Sequence, residues 1–76
     1  MPKFKVHWYV KIGGKSRLGW DIVEAEELSD KEALRLLKDT AAGRVSRLLP
    51  NFEEFYFKNT HPDLQEDFDV VRVEKV

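Results

Sequence analysis

Two histidines, two tyrosines, three serines and one Gly-Lys-Ser triplet are the groups from which this 76-residue chain would have to build any chemistry. Gly14-Lys15-Ser16 matches the tail of a phosphate-binding G-x-x-x-x-G-K-[ST] loop. However, Tyr9 stands where the first glycine belongs, and a strand-like alternation follows where the phosphate-receiving helix should open. His7 and His61 have no histidine or carboxylate at metal-ligand helical spacing, so no zinc or iron site is expected. Ser16 and Ser46 lie in no nucleophile elbow, and Ser29 is used as a helix cap. Glu53 and Glu54, adjacent in an expected strand, point to opposite faces and cannot pair as acid and base. The chain has no cysteine, which removes disulfides, thiolate clusters and thiol nucleophiles. Neither a catalytic residue, nor a metal, nor a cofactor is expected.

Recognition chemistry is better represented. Phe4, Val6, Trp8, Val10 and Ile12 alternate with Lys3, Lys5, His7, Tyr9 and Lys11, the period of a half-buried strand. If a helix covers the apolar side, then Lys5, His7, Tyr9 and Lys11 stand on an open sheet face, where Tyr56 and Lys58 of a later strand, with Val23 and Ala25, are expected to join them. Lys5, His7, Tyr9, Lys11, Tyr56 and Lys58 are the candidate partner-binding residues, since tyrosine offers contact area with a polar tip. A plainer reading competes: alternating lysines protect an edge strand from sheet-to-sheet aggregation, and tyrosine favours strands in any case.

The elements that must position these residues read as follows. Gly13-Gly14-Lys15-Ser16 is a hairpin turn after the first strand. The second strand runs from about Arg17 to Glu26; pairing Val10 with Leu18 and Trp8 with Trp20 would gather both apolar sets on one face. A bulge near Ile22-Val23 would absorb the slip in parity beyond that point. Ser29-Asp30-Lys31-Glu32 is a capping box. It opens a helix from Asp30 to Leu49 whose apolar stripe is Leu34, Leu37, Ala41, Val45 and Leu48, with Gly43 inside it and Pro50 ending it. Phe52–Lys58 is read as a third strand, and Phe68–Val76 as a fourth. In the fourth, either Val71 and Val73 or Phe68 and Val70 face inward. The sum is an α+β fold over residues 1–76 as one domain, in the order ββαββ: a four-stranded, mostly antiparallel sheet with one helix packed across one face.

Hydrophobic residues make up 42% of the chain and aromatics 12%, enough to argue for a folded globule over a disordered one. No apolar run approaches the ~20 residues that cross a bilayer, and no secretory signal is visible. A cytoplasmic protein with no membrane partner is expected. Charge is distributed in blocks: basic over 1–17, acidic over 18–32, basic over 33–49, acidic from 50 onward, with a formal net charge of −1. The helix flank of Arg35, Lys38, Arg44 and Arg47 is split around the wheel and reads as solvated decoration.

The passage Val23–Leu34 resembles a strand-into-capped-helix phrase of many small phage and mobile-element proteins, which would imply an accessory role. The residues themselves point to a small non-enzymatic binding protein: a regulator, inhibitor or accessory factor. Its partner would be another protein, or a second copy of the chain, docked on the open sheet face or an edge strand. Single-stranded nucleic acid stacked on the same face ranks second, because the net charge and the acidic 53–57 stretch do not suit phosphate.

Overall fold

The computed structural model describes residues 1–44 and 48–76; Val45 and Arg47, expected in the helix stripe and its basic flank, lie outside the described residues. Strands β1 (Lys3–Ile12) and β2 (Lys15–Glu24) are followed by helices α1 (Asp30–Ala41) and α2 (Pro50–Asn59), and then by strand β3 (Glu66–Lys75). The sheet order is β2-β1-β3, antiparallel throughout, so the most strongly alternating strand is central. The expectation of four strands and one helix is therefore overturned: among the described residues this small α+β protein has three strands and two helices.

The change comes from residues 50–59. Pro50 does not stop a helix; it occupies the first turn of α2, where its missing N–H is no loss. Within Phe52–Lys58, Phe52 and Tyr56 are four residues apart and share the buried side of that helix. The Phe52 ring stacks on Tyr56 of the same helix at 5.5 Å and meets Trp8 at 5.5 Å and Phe68 at 5.7 Å edge-on, so α2 is fastened to β1 and β3 through edge-on rings.

Helix α1 begins as expected, with Ser29 Oγ accepting from the Glu32 amide at 3.2 Å. It ends well before Leu49. Gly43 takes φ 79°, and the amides of Gly43 and Arg44 donate to the carbonyls of Thr40 and Asp39, a Schellman closure. Gly43 thus terminates the helix it was expected to weaken from within.

The β1–β2 register also differs. A two-residue loop at Gly13-Gly14, with Gly13 at φ 59°, pairs Ile12 with Lys15 and hence Tyr9 with Leu18, His7 with Trp20 and Lys5 with Ile22. No bulge interrupts this ladder. The core side of β2 is consequently Gly19, Asp21 and Val23, and a Cβ on Gly19 would sit 2.4 Å from the Trp8 ring. Asp21, 1% exposed, accepts from Trp8 Nε1 at 2.9 Å and from the Asn51 and Phe52 amides at 2.9 and 3.0 Å. One strand carboxylate therefore caps the N-terminus of α2, which has no side-chain cap of its own.

The register irregularity falls instead between β1 and β3, at His7/Trp8. It answers the parity question for the last strand with a part of each alternative. Phe68 and Val70 pair with Val10 and Trp8, then Val71 is the extra residue, and Val73 pairs with Val6. Phe68, Val70 and Val73 all pack against the core of Val6, Trp8, Val10, Ile12, Val23, Ala33, Leu37, Leu49, Phe52 and Tyr56, while Val71 stays 56% exposed.

Candidate interaction surface

The helices lie over the side of the sheet that carries Val6, Trp8, Val10 and Ile12, with α1 against β3 and α2 against β2 and β1. No described element covers the other side. Since residues paired across antiparallel strands share a face, the ladder defines three rows there. The central row is Lys3, Lys5, His7, Tyr9 and Lys11 of β1, as the alternation implied. Along β2 it is flanked by Glu24, Ile22, Trp20, Leu18 and Ser16. Along β3 it is flanked by Glu74, Arg72, Asp69 and Asp67, with Val71 beside Arg72 at the bulge.

Four expected site residues are thus brought together: Lys5, His7, Tyr9 and Lys11. Tyr56 and Lys58 are not among them. Both belong to α2, on the far side of the sheet; Tyr56 is 4% exposed within the core, its hydroxyl hydrogen-bonded to Glu66, and Lys58 sits exposed in the last turn. Val23 is likewise buried in the core and does not reach the open face. Placing these residues on the open face depended on a third strand that is in fact a helix, and on the bulge that is absent from β2.

What the sequence reading assigned to the core, the structure exposes. Leu18 is 72% exposed, Trp20 47% and Ile22 40%, in one row on the side away from the helices. A shallow hollow between Leu18 and Val71 has His7 and Arg72 on its walls. A second, at the other end of the row, brings Ile22 beside Met1, Leu48 and Pro50. The signal that could have found this row was the Gly13-Gly14 pair itself. A two-residue loop sets an odd offset between partners, which puts Leu18 opposite Tyr9 and leaves Asp21, a residue nobody would bury unprompted, on the core side.

Electrostatics on the face are internally balanced. Lys5 pairs across to Glu74, and Lys11 to Asp67. Lys5 Nζ also lies 4.4 Å from the centre of the Trp20 ring, a cation–π contact. Arg72 holds Glu74 at 3.3 Å, and His7 Nε2 lies 3.6 Å from the same Glu74 oxygen, shielded from water and without a hydrogen bond. Among the described residues, no cluster of three or more His, Cys, Asp or Glu side chains could hold a metal ion. No described helix is long and apolar enough to cross a membrane.

No family model, curated protein or solved structure matches the chain. The Val23–Leu34 phrase accordingly acquires no family from these comparisons, and the capping geometry at Ser29 accounts for it.

Proposed function

We propose that this chain is a non-catalytic binding protein that docks another protein on the open face of its sheet. The observation that carries this reading is the row Leu18, Trp20 and Ile22, turned outward beside Val71 on a face without a roof. Single exposed apolar residues are ordinary on a protein surface; four on one face, one of them a tryptophan, mark a contact surface. Tryptophan and tyrosine are also the residue types over-represented where binding energy concentrates. A regulator, inhibitor or accessory factor that acts by occupancy needs nothing more.

The face suits protein better than nucleic acid. Trp20, Tyr9 and His7 could stack bases, but the acids of β3 lie in register with the β1 lysines and would face the phosphates those lysines attract. The face also suits docking better than does either edge strand. The outward carbonyl of Trp20 on β2 is taken by Asn51 Nδ2 at 2.9 Å, and β3 is bulged and acidic.

Affinity capture from the source organism with the intact chain, run beside Trp20→Arg, tests the reading. The proteins retained by the parent should be lost from the variant while circular dichroism stays unchanged. Equal retention by a folded Trp20→Arg, or tight binding of a single-stranded oligonucleotide that collapses with salt, overturns it.

A further inference from the structure

We infer that the occupant of the open face is a second copy of this chain, packed in a two-fold dimer in which β2 of each copy lies over β1 of the other. The inference deepens the docking reading above and rests on it.

Three features select this partner. The first is charge: the face carries an apolar row, a cationic row and an acidic row, so a good partner must bring apolar surface without a large field of either sign. The chain meets that condition itself, and at a net charge of −1 two copies scarcely repel. The second is the state of the edges. Asn51 occupies the β2 edge at Trp20, and the β3 edge is interrupted by the bulge at Val71 and carries Glu66, Asp67 and Asp69, so sheet extension is disfavoured and association is face-on.

The third is symmetry. A dimer axis lying in the face can run across the strands, which sets the acidic β3 row on itself. It can run along β1, which sets Leu18, Trp20 and Ile22 on acids. Placed parallel to the strands and between β1 and β2, it exchanges those two rows. Leu18 then covers the partner's Tyr9, Trp20 the partner's His7, and Ile22 the aliphatic stem of the partner's Lys5. Both acidic rows stay outside in water. Contacts of this reciprocal kind are what an isologous interface requires.

Size sets the strength. Two overlapping ten-residue strands cover roughly 33 by 10 Å from strand rise and spacing. That is well under the ~800 Å² per partner of a standard interface, so the dimer should be weak, with Kd on the order of 10–100 μM.

Sedimentation equilibrium of the full chain from about 5 μM to 1 mM decides the matter, the range bracketing that Kd. The expected result is a reversible monomer–dimer equilibrium, with Trp20→Arg and Leu18→Glu each raising Kd at least ~10-fold and Lys58→Glu leaving it unchanged. Circular dichroism and urea unfolding confirm that the variants fold. A monomer at every concentration, or dimerisation indifferent to both face substitutions in folded protein, overturns the inference. If the chain is monomeric while Trp20→Arg still abolishes capture of a different protein, the docking reading stands and the second copy alone is refuted.

Discussion

Asp21 shows how one residue can hold three elements. Its buried carboxylate accepts hydrogen bonds from the Trp8 indole N–H and from two amides at the start of α2, so β1, β2 and α2 meet at a single side chain. Asp21→Ala would leave those donors unpaired. A loss of about 2–4 kcal/mol in urea unfolding is expected, because hydrogen bonds to a charged group and helix caps each contribute on this scale. Gly19→Ala should cost about 1–3 kcal/mol, as its methyl meets the Trp8 ring, which is pinned by Asp21 and cannot swing away. Tyr56 offers a pH test. Burial first, and then the hydrogen bond to the Glu66 carboxylate and its charge, push the phenol from 10.0 up to about 12. The neutral form is favoured in the folded state, so its stabilisation is complete below pH 10 and is lost as pH rises through 12. Unfolding of the parent should weaken over that interval relative to Tyr56→Phe; parallel curves for the two proteins would contradict the assignment.

At the scale of elements, what could be read from the sequence was local. The β1 alternation, a glycine turn after it and the Ser29 cap depend on neighbours a few residues away, and all three stand in the structure. The turn is confined to Gly13-Gly14, however, and Lys15 and Ser16, expected within it, already belong to β2. Residues 50–59 could not be read this way. Aromatic-rich Phe52–Lys58 fits a strand by propensity, and α2 has no capping side chain nearby because its cap is Asp21, thirty residues earlier. The parity of β3 was undecidable for a similar reason: Phe68, Val70 and Val73 share the core only because Val71 bulges opposite His7 and Trp8. At the end of α1 a substitution separates the two readings of Gly43. With φ at 79° and open space around a Cβ, Gly43→Ala should destabilise by about 1 kcal/mol through backbone strain alone. A glycine inside the helix would give the opposite sign, and thermal unfolding distinguishes them.

Over the whole molecule, the division of labour lies between the two faces of one sheet. The lysines of β1 cannot be edge protection, since β1 is the central strand. They sit instead between an apolar row and an acidic one, which makes the uncovered face amphipathic and nearly neutral. The candidate site was half legible: β1 contributed the expected residues, while the β2 row was hidden by a register that looked more favourable because it buried Leu18 and Trp20. The observed register buries Asp21 and turns the half-buried Gly19 inward in their place, and the three hydrogen bonds to Asp21 help offset the exposed apolar surface. Substitutions in the outward row should therefore leave stability within about 0.5–1 kcal/mol of the parent, unlike Phe52→Ala in the core, for which a loss of about 3–5 kcal/mol is expected.

Because the chain has no cysteine, Leu18→Cys supplies a single reporter at the centre of this account. In dilute native protein its thiol should react with a disulfide reagent at close to the rate of an unstructured peptide, and the rate should fall several-fold as the protein is concentrated into the range where the face is occupied. A thiol that reacts only as fast as the protein unfolds would mean that Leu18 points into the core, and the outward row, with everything built on it, would be wrong.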